Sequence, residues 1–359
     1  MALVAPQVET QKRKRIMIKT AVVILNWNGK EMLEKFIRDV YKKTISAENA
    51  VYLVDNGSTD NSLEWIRANL PDIGTFSFEE NLGFAGGYSR ALEMIEAEYY
   101  VLLNTDIEVT ENWIDPVISY MDNNPEVAAC QPKILSYSDR GSFEYAGAAG
   151  GFIDKYGFPF CRGRLHSVVE KDKGQYDDIR DIFWASGACM FIRSSVWHET
   201  GGLDPDFFVH MEEIDLCWRI HKRGYRISYI PDSVIYHVGG GTLPYESPAK
   251  LFYNFRNNLF VLHKNLPGRN YRKIILQRMT MDGLGALRYL MMFRFRSFYQ
   301  IFSAHIAYYR NIKSLEIKRR AIVSGSNHNP DNLILNKSMT IAFFLKGQKI
   351  FTELWPENN

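Results

Sequence analysis

Cysteine is scarce: four residues in 359, at Cys130, Cys161, Cys189 and Cys217, far apart and with no CxxC pair. They read as small buried thiols kept in a reducing compartment. Net charge is only +2, from 43 Lys and Arg against 41 Asp and Glu, so no global field argues for nucleic acid. Long apolar runs are missing as well. The longest charge-free stretch of the aromatic C-terminal region is Ser297–Tyr309, too short to span a bilayer. The N-terminal QKRKR is followed by no apolar segment, which argues against a signal peptide. Residues 1–16 are expected to be a disordered basic leader, with Met17 a candidate start. The glycine-containing loops match neither GxGxxG nor GxxxxGK[ST], which disfavours a dinucleotide oxidoreductase and a P-loop NTPase. There is no internal repeat and no low-complexity segment.

What is present is a large apolar complement, 46% hydrophobic and 14% aromatic, enough for the core of one big domain or one and a half. TAVVILNW (20–27) reads as a buried strand, followed by an amphipathic helix with Met32, Leu33, Phe36, Ile37 and Val40 on one face. The pattern repeats: a strand ending at Asp55, a helix starting near Asp60–Ser62, a strand at TFSF, a third helix, and a fourth strand at YYVLLNTD. Strands alternating with helices at this spacing predict a doubly wound, mostly parallel α/β sheet. Ligands in such sheets lie beyond the carboxyl ends of the strands. Asn26, Asp55, Asn81 and Asp106 all fall there. From about 125 to 182 the pattern loosens. DIFWASGACMFIR then reads as a strand interrupted at Gly187, MEEIDLCWRIHKRG as a helix, and YRISYIPDSVIYH as a strand pair leading to His237.

Each candidate has a plainer reading beside the functional one. Asp55 in VDNGSTDNS is also what a turn requires. Asp106 is a costly carboxylate at the tip of an apolar strand, and a divalent ion bridging phosphates would receive it. Glu212, Glu213 and Asp215 sit in a helix first turn, which favours acid for the dipole alone. Asp215 and Arg219 are spaced to pair at i, i+4, leaving Glu212 and Glu213 as candidates for chemistry. His237 is either structural or part of a site that the following glycines let approach a ligand.

Charge is unevenly distributed. Between Lys264 and Arg320, 13 Lys and Arg face only Asp282 and Glu316, a local +11 that leaves −9 for the remainder. Such a tail suggests a partner with anionic groups, membrane lipid or phosphate. Leu284, Leu287, Met291, Phe295, Phe298 and Phe302 recur at steps of three and four and predict one helical stripe, packed on the body or on a membrane surface.

Taken in order, VVILNWNG, VDNGSTDNS, ENLGFAGG, LLNTD, GACMFIR and FFVHMEEIDLCWR resemble the signature of family-2 glycosyltransferases of the GT-A fold, close to the rhamnosyltransferase-like branch. The resemblance covers roughly residues 18–265. It implies a GT-A domain over 17–265, beyond which the change of character after about residue 264 predicts a basic, aromatic helical extension over 266–359. It also implies an inverting transferase that uses a nucleotide-diphosphate sugar, UDP- or dTDP-linked, and a divalent cation, Mn2+ or Mg2+. The acceptor would be a saccharide or a lipid-linked oligosaccharide of a bacterial surface polysaccharide. Carried over by position, Asp55 would bind the base or ribose with Asn26 beside it. Asn81 and the loop through Gly83 would lie near the diphosphate, with Asn104 on the donor side. Asp106 and His237 would meet the metal, Glu213 would be the catalytic base beside Glu212, and Trp184 and Gly187 would lie by the acceptor.

The family pattern is departed from at Asn104, where Asp opens the motif elsewhere, at Glu213, where Asp is usual, and at Ser89, where Asn is frequent. The expected place of work is the cytoplasm, peripheral at the inner face of the cell membrane, with no nucleic-acid partner and a homo-oligomer left open. Two rival readings are a metal-dependent sugar-phosphate nucleotidyltransferase and a catalytically silent sugar- or membrane-binding scaffold.

Overall fold

In the computed structural model, β1 (Ile18–Asn26) is the strand on which the larger sheet is built. Its TAVVI run is buried on both faces, as a central parallel strand requires. It pairs in parallel with β2 (Asn49–Asn56) on one side and β4 (Ala97–Leu103) on the other, and β2 pairs in parallel with β3 (Gly74–Phe78). The crossovers are α1 (Lys30–Thr44), α2 (Ser62–Asn69) and α3 (Gly83–Leu92). Helix α1 buries Leu33, Phe36, Ile37 and Val40, as its spacing predicts. The structure describes residues 18–239, 247–325 and 328–356; the expected leader 1–16 and most of the glycine run after His237 lie outside them.

Beyond β4 the chain forms β5 (Ile107–Val109), α4 (Asp115–Asn123) and β6 (Val127–Ser136). Next come four short strands, β7 (Gly151–Asp154), β8 (Pro159–Cys161), β9 (Arg164–Leu165) and β10 (Val168–Val169), and then β11 (Arg180–Asp181), β12 (Cys189–Arg193) and α5 (Ser194–Thr200). Helix α6 (Glu212–Lys222) and strand β13 (Arg226–His237) follow. The larger sheet has the order β11-β13-β6-β12-β4-β1-β2-β3, with β5 on β13. It is parallel from β3 through β4, and β12 then runs antiparallel to both β4 and β6.

Two local expectations are corrected. DIFWASGACMFIR divides into β11 and β12 with a loop between them. The presumed strand pair after Gly224 is one strand, β13, broken in register between Ile230 and Val234, where Pro231 has no N–H to give the ladder.

The loosely patterned region folds as a second sheet of order β10-β9-β8-β7-β14, whose last strand, β14 (Ile334–Leu335), comes from near the C-terminus. The remaining elements are α7 (Pro248–Asn265), α8 (Tyr271–Met291), α9 (Phe295–Ser324), α10 (Met339–Leu345) and α11 (Phe351–Leu354). The chain beyond residue 265 shares the core of the body. Arg319 donates to the carbonyls of His263, Leu266 and Gly268 at 2.9, 2.6 and 2.9 Å. The Phe351 ring lies 5.4 Å from Phe152 and 6.2 Å from Phe160.

The six-residue stripe expected on one helix is split between two. Helix α8 stops at Met291, and Phe293, at φ 57°, turns the chain into α9. All four cysteines are buried and unpaired. Among the described residues no helix is long and apolar enough to cross a membrane.

Candidate active site

The ends of β1 and β2 are in register, with Asn26 opposite Asp55. That register explains the first latch. The Asn26 amide donates to Asp55 Oδ1 at 3.2 Å, Ser58 Oγ at 3.1 Å and Ser62 Oγ at 2.8 Å, while its oxygen accepts the Gly29 N–H at 3.2 Å. The other Asp55 oxygen accepts the Ser58 N–H at 3.1 Å. Asn26 therefore clamps the NGSTDNS turn onto the end of β1, and both side chains are buried.

A second latch lies one strand over. Asn56 donates to Asn81 Oδ1 at 3.0 Å and to the Gly83 carbonyl at 3.1 Å, and its own oxygen accepts the Leu82 N–H at 3.0 Å. Asn81 Oδ1 also takes the Gly83 N–H at 2.8 Å. Gly83 has φ 73°, and a Cβ there would stand 2.5 Å from the Phe208 carbonyl oxygen, so only glycine fits. The Ser89 hydroxyl donates to the Leu203 carbonyl at 2.7 Å, which ties α3 to the following layer.

Strand β4 delivers Asn104 and Asp106. The Asn104 N–H is held by the Ala188 carbonyl at 3.0 Å, which sets the strand tip against the turn containing Gly187. A Cβ on Gly187 would come within 3.1 Å of the Phe84 ring, so this turn also abuts the second latch. Trp184 is buried behind the turn, with its indole N–H donated to the Phe152 carbonyl at 2.9 Å and its ring packed where Gly151 lacks a side chain. Asp106 meets His237 because β5 and β13 pair with Ile107 opposite His237. Asp106 Oδ1 lies 3.2 Å from His237 Nε2, and Oδ2 accepts the Gly239 N–H at 3.2 Å.

On the far side of the imidazole, Glu144 Oε2 stands 3.3 Å from Nδ1, a charge contact whose hydrogen-bond alignment is poor. Burial by itself would lower the His237 pKa, but the Glu144 and Asp106 carboxylates outweigh it and raise it to about 10. Among the described residues no three His, Cys, Asp or Glu side chains form a ready metal cage. Asp106 and, once a bound cation displaces its proton, the adjacent His237 would suit a divalent ion that takes its remaining ligands from substrate phosphates and water. Glu144, behind the histidine, is the kind of partner that orients a ligating imidazole.

The third component is the loop before α6. Phe208, His210 and Met211 have φ of 65°, 69° and 74°, three non-glycine residues in the left-handed region within four positions. Such backbone costs on the order of 1 kcal/mol or more per residue and persists only where the surroundings enforce it. The enforcing group is Asn257 on α7. Its buried amide nitrogen sits 2.9, 2.8 and 2.7 Å from the carbonyls of Phe207, Val209 and His210. Arg256 adds bonds of 2.9 Å to the carbonyls of Asp206 and Phe207. The Phe208 carbonyl accepts the Ala85 N–H at 3.1 Å, and its ring stacks on Tyr253 at 5.5 Å. The loop is thereby joined to the second latch.

At its end stand Glu212 and Glu213, and each keeps one buried carboxylate oxygen, Oε2, without a hydrogen-bond partner. Burial raises Glu213 to about 7 and pushes Glu212 well above the usual carboxylate range, with the Glu213 charge adding to it. Asp215, one turn further, is fully engaged by Lys264 at 2.7 Å, Asn265 at 2.7 Å and Arg219 at 2.9 Å. Its i, i+4 pairing with Arg219 is the one its spacing predicts.

Asn257→Ala is expected to let this loop relax. Turnover should drop about 10²-fold, the usual cost of a displacement near 1 Å, while donor KM changes less because Asn257 itself bonds to neither latch. The freed carbonyls should also cost about 1–3 kcal/mol of stability. Steady-state kinetics and thermal melts check both, and an unchanged kcat would show that the loop keeps its shape without Asn257.

Glu144 and Asn257 were not visible as site residues in the sequence. Glu144 lies in the stretch without periodicity. Asn257 left a fainter trace, a polar residue three positions before Phe260 on a helix face that proves buried.

A family model described as glycosyl transferase family 2 matches residues 21–199. An N-acetylglucosaminyl-diphospho-decaprenol L-rhamnosyltransferase of Mycobacterium tuberculosis is 24% identical over 234 residues, covering 60% of this chain and 75% of that one. A low-salt glycan biosynthesis hexosyltransferase of Haloferax volcanii is 24% identical over 244 residues, covering 66% of this chain and 73% of that one. Among solved structures, GalNAc-T7 with UDP, GalNAc and Mn2+ aligns with a TM-score of 0.53 at 17% identity, over 70% of this chain and 48% of that one, a likeness of fold alone.

Proposed function

The chain belongs to glycosyltransferase family 2, and from that premise we propose that it moves a hexose, with inversion, from a nucleotide-diphosphate sugar to a saccharide or lipid-linked acceptor in cell-surface polysaccharide synthesis. The observation that carries the reading is the pair of unpartnered carboxylate oxygens on Glu212 and Glu213, held by a strained loop that is buttoned to the second latch through Phe208. A carboxylate kept without a partner at that place is available to an incoming hydroxyl. Glu213 takes the acceptor proton, and Glu212 supports it electrostatically.

Asp55 and Asn26 shape the nucleoside end of the donor site, and Asn81, Gly83 and Asn104 line the path to the diphosphate. Asp106 and His237 hold a divalent cation, Mn2+ or Mg2+. When bound, the cation supplies neutralisation of the departing diphosphate. Gly187 keeps the acceptor side open, with Trp184 as the packing behind it. The rhamnosyl and lipid-diphosphate terms in the mycobacterial relative's name favour rhamnosyl transfer to a lipid-linked acceptor, with a dTDP- or UDP-sugar as donor and the inner face of the cell membrane as the place of work. Residues 17–265 carry this chemistry, and 266–359 brace it and reach outward.

The test is a donor screen. UDP-, dTDP- and GDP-sugars are incubated with the full chain, with manganese and with chelator, and nucleotide release and thermal shift are read. Metal-dependent release of a nucleoside diphosphate from one donor is the expected result. Pyrophosphate formed from a nucleoside triphosphate and a sugar phosphate would replace the reading with a nucleotidyltransferase. Neither turnover nor shift with any donor would leave a silent scaffold.

A further inference from the structure

Helices α8 and α9 form an antiparallel hairpin, set by Tyr271 to Glu316 at 3.1 Å, Met279 to Tyr309 at 3.7 Å and Asp282 to His305 at 3.4 Å. Arg278 anchors the base of the hairpin to the body through the Tyr156 carbonyl at 3.3 Å and Asn258. From Asp282 to Met291 the arm runs on for about 13 Å at the helical rise. Ala286, Ile301 and Ala304 are buried and form its inner seam. Its outside is apolar and bare. Met291 is 67% exposed, Phe293 79%, Phe295 54% and Tyr299 66%, and Leu284, Leu287 and Phe302 extend the patch down both arms.

The turn at the tip is built with unusual residues. The Phe293 N–H bonds to the Leu290 carbonyl at 3.0 Å and the Arg294 N–H to the Tyr289 carbonyl at 2.9 Å, the Schellman pairing that ends a helix with a left-handed residue. Glycine is the residue suited to that position. Here it is a phenylalanine at φ 57°, the most exposed aromatic side chain in the described residues. Folding and solubility both disfavour it, so its aromatic ring has another use.

Charge selects the partner. No Asp or Glu occurs between Asp282 and Glu316, while Arg288, Arg294, Arg296, Arg310 and Lys313 do. A second copy docking tip to tip would bring like charges together with no acid from this segment to pair them. A surface of anionic lipid offers phosphates to the arginines and an acyl boundary to the rings.

We propose that the tip of the α8–α9 hairpin docks the protein on an anionic bilayer, with Met291, Phe293, Phe295 and Tyr299 entering the headgroup–acyl boundary and Arg288 and Arg296 meeting lipid phosphates. The docking deepens the membrane-side placement proposed above, but its physics does not depend on catalysis.

Co-sedimentation of the full chain with phosphatidylglycerol-containing and with pure phosphatidylcholine vesicles tests it. The wild type is expected to bind the anionic vesicles and to release them as salt rises. Phe293→Gly places glycine where the backbone favours it, so it should melt no lower than wild type while its vesicle affinity drops roughly 10-fold or more. Arg288→Gln with Arg296→Gln should lose about fivefold per arginine on anionic vesicles only. Wild-type protein that ignores anionic vesicles at low salt overturns the proposal. So does Phe293→Gly binding them as wild type does, or a dimer that Phe293→Gly dissociates with vesicle binding unchanged. Donor hydrolysis by Phe293→Gly should match wild type, and vesicle binding without any donor hydrolysis would refute the transferase reading and leave the docking surface standing.

Discussion

Glu213→Gln is expected to lower turnover by roughly 10²–10⁴, the range that general base catalysis is worth, and to leave donor affinity unchanged. The substitution keeps the size of the side chain and removes the charge that accepts the proton. Because burial raises Glu213 to about 7, wild-type turnover should climb as pH rises through 7 and level off above it. Stability should move the opposite way. Relative to the ordinary value of 4.5, the folded chain holds an extra proton between about 4.5 and 7, so stability is present below that window, falls across it and is lost above 7. Gln carries no charge at any pH. Glu213→Gln should therefore melt higher than wild type above pH 7 and equally below about 4.5. Rate–pH and melt–pH profiles, run beside Glu212→Gln, separate the two acids. Full turnover in Glu213→Gln with an inactive Glu212→Gln would exchange their roles, and two active variants would move the base elsewhere.

Asp106→Ala should abolish the metal-dependent part of donor binding. Asp106 is the carboxylate through which β4 addresses the cleft, and its two oxygens already face His237 Nε2 and the Gly239 N–H. Removing it takes away one of two side chains suited to the cation and leaves the His237 imidazole against Glu144 alone. Loss of an outer partner typically costs 10–100-fold in metal affinity, so Glu144→Gln should fall in that range and Asp106→Ala beyond it. Calorimetric titration of UDP and dTDP, with manganese and with chelator, reads both variants. Nucleotide affinity that stays metal-dependent and undiminished in Asp106→Ala would remove Asp106 from the site.

Much of this was legible in the sequence, and the reason is locality. Apolar runs of strand length separated by helical periodicity determined β1 to β4 and their crossovers, since an unbroken apolar run and a one-sided helix are both patterns of residues close in the chain. The polar strand ends at Asn26, Asp55 and Asp106 followed, because a parallel sheet places such ends along one edge. The i, i+4 pairing of Asp215 with Arg219 is likewise a property of one helix.

Tertiary structure alone decided the rest. Asn26 clamps a turn 29 to 36 residues away, Asn257 holds carbonyls 47 to 50 residues earlier, and Glu144 reaches His237 from a distant part of the chain. No periodicity encodes such pairs. The left-handed backbone of Phe208, His210 and Met211 was equally hidden, because none is a residue type that announces that conformation. The apolar stripe shows the boundary between the two kinds of information. Its spacing correctly marks helix, but Phe293 in a glycine's conformation divides the helix and turns one stripe into a hairpin with an exposed tip, which only the folded chain shows.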